Sequence, residues 1–481
     1  MKKIILSLIV ASFTFTSCNQ DFLDTDLEST INNEQLATSP SALQGIVDGI
    51  YVSLHTYGIT ASAGHEDFGH KAVLSGLDMM SNDMVQTRHH WFGFYYNYTG
   101  RIQTSSRPLM IWKTYYQQIK AANNVITAIE SGGVTDSNKF MYGQALALRG
   151  YSYFMLARIF APSYLSNKEA DCVPLYTQAS LEGKPRAKSS EVYNQIILDL
   201  KKSVENLDGF VRTNKEKIDK NVAMAFLAQV YLEVGDYEKA ADFANKARQG
   251  YSQPTEAQWK DGFYDLSTNP DIMWGGIITA ETSSFVASYF AHFDNVDVNG
   301  YAGGSGIYKS IDKRLYDAIP SSDYRKSVFQ ASNNAAPYSL PKYANTKFRD
   351  QSAGNGGDYV YLRSSEMFYI EAEALARLSK ESQAIDLLKS ITLLRNPSYT
   401  VNLSGSNLIN EILLQKRIEL WGEGCAWFDM KRLGVALERN YIGSNHVIAA
   451  AKLDIPAGDP RFVFQIPQSE ILANPNVTQN P

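Results

Sequence analysis

The stretch 221–252 limits the possible folds of this chain more than any other, because it predicts two antiparallel helices joined by a tight turn at Gly235 and Asp236. Small and apolar residues recur there at the spacing of a helix face. They are Leu227, Ala228 and Tyr231 before the turn, and Tyr237, Ala240, Ala244 and Ala247 after it. Alanines let two helices approach closely, and tyrosine rings fill the space between them. One such pair cannot bury its own apolar face, so further pairs are expected to stack on it.

This spacing matches the tetratricopeptide unit, and the pattern recurs along the chain. Gly150 and Tyr153, in a helix predicted over 139–160, repeat the spacing of Ala228 and Tyr231. Ala372, Leu375 and Ala384 occupy the corresponding positions in a pair predicted over 361–378 and 382–394. Two loop-rich insertions, around 78–107 and over 251–353, interrupt the helices. The sequence therefore predicts a mainly α-helical fold of tetratricopeptide-like pairs, with short strands in the insertions, where long loops favour binding.

The N-terminus predicts export and lipid attachment. Lys2 and Lys3 precede an apolar run over 4–15, and the small residues Thr16 and Ser17 precede Cys18. This is the pattern of a secretory signal peptide, here 1–17, and the run is too short to span a bilayer. A cysteine directly after small residues is typical of a bacterial lipoprotein, although a plain signal peptide is the alternative. Residues 18–40 are polar and acidic, which predicts a lipid-anchored tether.

Composition narrows the classes of partner. The chain has 481 residues, a formal net charge of −5 and no long basic run, so nucleic acid is an unexpected ligand. Aromatic residues make up 12% of the chain, and 29 of them are tyrosines, which suit carbohydrate or protein surfaces as well as a large core. Cys172 and Cys425 are predicted to be buried free thiols, with a disulfide as the alternative.

Several short blocks, in order along the chain, carry a resemblance to a known family. They are DFLD at 21–24, LRSSEM at 362–367, EAEA at 371–374, RIEL at 417–420, GEG at 422–424, WFDMKR at 427–432, IPQSE at 466–470, NPN at 474–476 and QNP at 479–481. Together with Cys18 they resemble the SusD/RagB family of outer-membrane nutrient-binding lipoproteins. The blocks run from Cys18 to the C-terminus, so the resemblance covers essentially the whole chain.

The resemblance implies a SusD-like α-helical fold with a helical side and a loop-rich binding side. It implies one domain over 41–481, with an N-terminal part over about 41–250, an insertion over about 251–353 and a C-terminal part over about 354–481. It further implies a non-catalytic protein of polysaccharide utilisation, lipid-anchored in the outer membrane and facing outward. Such a protein captures oligosaccharide or another nutrient and passes it to a TonB-dependent outer-membrane transporter.

Aromatic residues in the two insertions are the candidates for ligand contact, because flat rings stack on the apolar faces of sugars. The rings over 91–98 follow Arg88, His89 and His90 and lack helical or alternating spacing. The predicted binding residues are Trp91, Arg88 and Asn97, with Tyr95 and Tyr96, and in the second insertion Trp274, Tyr289 and Tyr301. Trp274 precedes two glycines, where a ligand could approach the backbone. However, the run 271–278 also matches a buried strand.

No cofactor is expected. The stretch 295–300 has oxygen ligands at alternate positions, as a calcium loop does. However, position twelve of such a loop supplies an acidic ligand, and here it is Gly306, so a turn is favoured. His65, Glu66 and His70 have one residue too many between them for a zinc helix. Glu366 and Glu373 are expected to bond the scaffold or face solvent. The rival functions are a lipid-anchored protein-interaction scaffold without a small ligand, and a glycoside hydrolase, which the absence of an evident carboxylate pair disfavours.

Overall fold

The computed structural model describes residues 39–58, 64–180, 182–352, 354–447 and 453–481. Cys18 and the predicted tether up to residue 38 lie outside these ranges, and the last tether residue, Pro40, already begins the first described helix. Helices dominate the described residues: α1 Pro40–Ser53, α2 His70–Met79, α3 Gly93–Tyr96, α4 Ser106–Gly132, α5 Lys139–Phe160, α6 Ser189–Asn206, α7 Lys220–Val234, α8 Tyr237–Ala247, α9 Glu256–Trp259, α10 Tyr289–Phe293, α11 Lys313–Ala318, α12 Ser364–Arg377, α13 Glu381–Thr392, α14 Gly405–Glu419, α15 Ala426–Leu433 and α16 Gln468–Ala473. None of them combines the length and apolar character needed to cross a bilayer.

Short strands join distant parts of the chain in two-stranded sheets. They are β1 Met84–Gln86, β2 Asp171–Pro174, β3 Arg186–Lys188, β4 Ile272–Gly276, β5 Lys309–Ile311, β6 Tyr359–Arg363, β7 Leu437–Glu438 and β8 Asp454–Ile455. The pairs are β1 with β5, β2 with β3, β4 with β6, and β7 with β8, all antiparallel. The predicted mainly α-helical class, with short strands in the insertions, is confirmed.

The α7–α8 pair has the geometry that its alanines predict. Gly235 ends α7 in the left-handed conformation (φ 80°), and the Asp236 side chain accepts a hydrogen bond from the Lys239 amide to begin α8. Ala240, Ala244 and Ala247 of α8 are fully buried, and the Tyr231 ring stacks on Phe243 with centroids 5.5 Å apart. Neighbouring helices pack in chain order from α4 to α8, and α8 then packs on α12. The stacked pairs thus bury a continuous core.

Glycines on α5 allow the close approach of α6. A Cβ atom added at Gly143 would lie 2.8 Å from Leu207, and one added at Gly150 would lie 3.2 Å from Leu200. Gly150 therefore plays the packing role in this pair that Ala228 plays in α7, as its spacing predicts.

A buried ion network joins the last residue of α14 to the end of β6, to the segment after α13 and to the second insertion. The Glu419 carboxylate lies 3.1–3.2 Å from the guanidinium nitrogens of Arg325, Arg363 and Arg395, and it also accepts the indole N–H of Trp259 at 2.8 Å. Burial alone would raise the pKa of Glu419, but Arg395, Arg363 and Arg325 outweigh it and hold that pKa well below its usual value. The charges of the RIEL and LRSSEM blocks thus hold the scaffold together.

A second group of buried carboxylates lies on α12. Glu373 accepts two hydrogen bonds from Arg432, at 2.8 and 2.9 Å, and one from Arg377. Glu366 accepts both of its hydrogen bonds from the Gln229 side chain, at 3.0 and 3.1 Å. Both carboxylates are therefore bonded to the scaffold, one of the two arrangements expected for them.

Candidate functional site

The β1–β5 ladder brings the two insertions together. Met84 pairs with Ile311 and Gln86 with Lys309 in antiparallel register. The loop that follows β1 and the loop that precedes β5 therefore leave the ladder at the same end. The Thr87 amide donates to the Tyr308 carbonyl at 3.1 Å, which continues the pairing beyond the strands. Residues 88–92 consequently lie beside residues 294–308, although they belong to different insertions.

Five partly exposed rings meet where these loops join, and we call them the loop cluster: Tyr57, His65, His90, Trp91 and Tyr301. The Trp91 and His65 ring centroids lie 5.3 Å apart, and those of Tyr301 and His90 lie 4.6 Å apart. The Tyr301 hydroxyl is 2.5 Å from Nδ1 of His65, and Tyr57 meets His65 edge-on at 6.3 Å. Trp91, His65 and Tyr301 are each half-buried. Rings from separate segments of the chain are thus presented together.

A buried ion pair supports the cluster from below. Glu66, one residue after His65, pairs with Arg107 at the start of α4. The Nη2 atom of Arg107 also donates to the Trp91 carbonyl at 3.3 Å, and its guanidinium lies 4.1 Å from the Phe94 ring centroid. Burial raises the pKa of Glu66, and the Arg107 charge opposes that shift. This one ion pair therefore fixes the backbone at two cluster residues: His65, which precedes Glu66, and Trp91, whose carbonyl accepts from Arg107.

Burial lowers the pKa of two histidines at the site, His90 and His292. Burial lowers the pKa of His90, and Lys309 and the neighbouring histidines lower it further. His292, which stacks on Tyr301 at 4.9 Å and donates to the His65 carbonyl, has a pKa held well below its usual value, mainly by burial. The charged group at the rim is the exposed Arg88, which donates to the Ser305 carbonyl at 3.4 Å. Uncharged rings beside polar donors and acceptors suit the apolar faces and hydroxyls of a sugar.

Of the eight predicted binding residues, Trp91, Arg88 and Tyr301 come together at this surface. Four others are core residues, and their prediction as direct contacts is corrected: Tyr95, Tyr96, Trp274 and Tyr289 are each at most 2% exposed. Asn97 is half-buried at the end of α3, where its side chain accepts the amide and hydroxyl of Thr99. No contact in the described chain brings Asn97 to the loop cluster.

Burial of these four rings follows from their partners. Trp274 lies on β4, the buried strand that was the alternative for this run, and its indole N–H donates to the Glu216 carbonyl at 2.9 Å. The hydroxyl of Tyr96 bonds to His446, and Tyr289 stacks on Phe293 at 4.8 Å. The Tyr95 ring packs against Gly76, where an added Cβ would lie 2.7 Å from it. All four rings therefore belong to the interior that carries the cluster.

The core around Trp274 makes stability depend on pH. The His70 ring lies 5.7 Å from Trp274 and between the hydroxyls of Tyr115 and Tyr151, and burial lowers its pKa to about 3 from 6.5. As the pH falls, the unfolded chain binds a proton at His70 before the folded chain does. The stability that is present above pH 6.5 is therefore lost progressively towards pH 3.

We expect His70→Gln to reduce the loss of unfolding free energy between pH 7 and pH 4.5 by about 2 kcal/mol, as measured by urea unfolding. His89→Gln, a substitution at an exposed histidine, is the matched control. Equal pH profiles for the two variants would contradict the role assigned to His70.

The residues that suggested metals have other partners. His65, Glu66 and His70 contact Tyr301, Arg107 and Tyr115 respectively, so they do not converge. Asn295 bonds the main chain of Lys309 and Asn345, and Asp297 accepts the amide of Asn299, which closes a turn. Within the described ranges no group of three or more His, Cys, Asp or Glu side chains could hold a metal ion. Cys172 and Cys425 are free thiols.

Sequence reasoning did not include Tyr57, His65 or His90 in the site. His90 adjoins Trp91 in the sequence, and this adjacency is a local signal for His90 alone. His65 was considered only as a zinc ligand, and its contact with Tyr301 spans 236 residues. No local pattern encodes a contact at that separation.

Comparison with known proteins gives consistent matches over most of the chain. A family model described as "Starch-binding associating with outer membrane" matches residues 21–232, and the model of the SusD family matches residues 294–481. SusD-like protein P2 from Formosa agariphila is 24% identical, with 100% of this chain and 99% of that protein covered. SusD-like protein P38 from the same organism is 23% identical over 69% of this chain and 74% of its own length.

Solved structures show the same likeness. A SusD-like carbohydrate binding protein from Bacteroides vulgatus superposes with a TM-score of 0.80 and 27% identity, covering 91% of this chain and 97% of that one. A SusD superfamily protein from Bacteroides thetaiotaomicron superposes with a TM-score of 0.76 and 24% identity, covering 92% of this chain and 100% of that one, and shares its fold.

Proposed function

Since the chain belongs to the SusD family, we propose that it is a non-catalytic, surface-exposed protein that captures oligosaccharide at the loop cluster. The observation that carries this proposal is the meeting of Trp91 and Tyr301, two half-buried rings from separate insertions, beside the exposed Arg88. A sugar has apolar faces that pack on rings and hydroxyls that need donors and acceptors. The cluster offers both in one place.

The cluster is held in place before a ligand binds. Its rings are held by the Glu66–Arg107 pair and the β1–β5 ladder, so little ordering is needed when a ligand binds. Two carboxylates beneath it are engaged: Glu66 pairs with Arg107, and Asp294 accepts the amides of Val296 and Asp350. This arrangement supports binding rather than acid–base hydrolysis.

Delivery is the second part of the proposal. A lipid on Cys18 would hold the protein at the outer membrane, and a TonB-dependent transporter would import the captured oligosaccharide. The family resemblance and the signal pattern of residues 1–18 support this part. Co-purification of a transporter with the full-length chain from detergent-solubilised outer membranes tests it. Loss of that association in Cys18→Ala would support the anchor.

Trp91→Ala is expected to weaken oligosaccharide binding at least ~10-fold, because it removes the largest ring of the cluster, a loss of about 1.4 kcal/mol. A glycan array identifies the ligand, and affinity electrophoresis or calorimetry measures the change. Tyr237→Ala is the matched control, since it removes a half-buried ring from the helical side. The control should bind like the original chain.

Retention of full affinity in Trp91→Ala would refute capture at the loop cluster. If no glycan bound the original chain, the rival function, a lipid-anchored tetratricopeptide-type scaffold without a small ligand, would replace this proposal. The helix pairs would then be the binding surface.

A further inference from the structure

A recess on the side of α4 has an aromatic floor and lies apart from the loop cluster. Trp112 and Tyr116, one turn apart on α4, have ring centroids 4.7 Å apart, and Tyr176 meets Tyr116 edge-on at 6.2 Å. Glu470 on α16 closes one side, and the recess has a volume of about 310 Å³. That volume lies at the lower end of the range for small-ligand sites and accommodates one sugar ring.

The floor of the recess is held in place by hydrogen bonds. The Tyr116 hydroxyl donates to the Pro174 carbonyl at 2.7 Å, and the Tyr176 hydroxyl accepts the Lys184 amide at 3.0 Å. Both rings are half-buried, so a part of each faces solvent. The rings are therefore preorganised for stacking.

The rim of the recess carries unpaired positive charge. Lys113, Gln117 and Lys120 line it from successive turns of α4, and all three are exposed. Within the described part of the chain these three side chains have no hydrogen-bond or ion-pair partner. The Lys184 ammonium lies 5.4 Å from the Tyr176 ring centroid. The one carboxylate of the lining, Glu470, accepts a hydrogen bond from Asn474 at 3.2 Å. Cations thus outnumber the carboxylate at this recess.

We propose that this recess is a second binding site, specific for an acidic sugar unit of a glycan. The sugar ring lies against Tyr116 and Tyr176, and its carboxylate lies between the ammonium groups of Lys113 and Lys120. Hydrogen bonds from an ammonium to a carboxylate are about twice as strong as uncharged ones. The inference rests on the proposed function only in taking the ligand to be a sugar, because the preference for an anion follows from the lysines themselves.

Two probes that differ in one group test the site. Methyl β-D-glucuronide carries a carboxylate where methyl β-D-glucoside carries a hydroxymethyl group. The full chain in detergent, with Trp91→Ala to silence the loop cluster, is titrated with each probe by saturation-transfer NMR. We expect about 10-fold tighter binding of the glucuronide. The double substitution Lys113→Ala and Lys120→Ala is expected to abolish that preference.

The matched control is Lys168→Ala with Lys201→Ala, which removes the same charge from exposed positions outside the recess. The control should keep the preference for the glucuronide. Equal binding of the two probes, or an unchanged preference in the Lys113/Lys120 variant, would overturn the proposal. Inorganic phosphate competing as strongly as the glucuronide would overturn the assignment to a sugar. The proposal of capture at the loop cluster is tested separately, by the effect of Trp91→Ala on oligosaccharide affinity.

Discussion

Glu419→Gln is expected to destabilise the fold by about 3–5 kcal/mol, because it leaves buried guanidinium groups without their shared anion. Glutamine keeps the size of the side chain, so the loss reports charge rather than packing. Arg363 and Arg325 retain Asp271 and Asp323 as partners. Arg395 loses its single carboxylate partner among the described residues and keeps only uncharged acceptors. Urea unfolding followed by circular dichroism measures the shift.

The control for Glu419 is Glu238→Gln. Glu238 is exposed in the first turn of α8, so its substitution should change stability by at most about 0.5 kcal/mol. Similar unfolding midpoints for the two variants would mean that Glu419 contributes no more to stability than an exposed carboxylate does. That outcome would contradict the role assigned to the RIEL block.

Gly69→Ala is expected to cost about 2–4 kcal/mol and to weaken oligosaccharide binding. Gly69 precedes α2 with φ 79°, and a Cβ atom there would lie 2.2 Å from the Leu54 carbonyl oxygen. That oxygen accepts the His70 amide at 2.7 Å, so the backbone has to separate and lose the bond. A clash of this kind costs about 1–3 kcal/mol, in addition to about 1 kcal/mol for the left-handed conformation. His65 lies four residues away, so the cluster is displaced as well.

Gly58→Ala separates these two contributions. Gly58 has φ 75°, but an added Cβ atom would meet nothing within 4 Å. Its substitution should cost only about 1 kcal/mol, the strain of the left-handed conformation. Thermal unfolding of both variants gives the difference, which is the contribution of the clash at Gly69. Equal losses would show that the backbone around Leu54 relaxes freely, against this prediction.

The helix pairs could be predicted because their signals are local. Gly235 and Asp236 combine a left-handed cap with an N-cap within two residues, and the predicted range 139–160 coincides with α5. Helix α2 was missed because all ten of its residues are buried, so its polar residues Lys71, Ser75 and Asp78 do not mark a side that faces solvent. Residues 361–363 were predicted as helix but form the end of β6, where pairing with β4 overrides local propensity.

The site could be predicted only in part for the same reason. Trp91 stood out because its neighbouring rings lack the spacing of a core element. That reasoning could not separate Trp91 from Tyr95 and Tyr96, because four residues of helix, α3, turn these two inward. The residues around Trp274 are compatible with either a buried strand or a binding loop. In the structure Trp274 pairs with Leu362, so this run is a strand. Burial of a ring depends on distant partners, which a single sequence does not specify.

The β1–β5 ladder also governs when the loop cluster can form. A chain made from its N-terminus contains Trp91 long before Tyr301, and the contact that completes the cluster joins residues 236 apart. Contacts of such long range form slowly, and exposed rings favour aggregation in the meantime. A truncated chain that ends before β5 should therefore carry Trp91 without any capacity to bind. The binding surface is among the last features of the protein to mature.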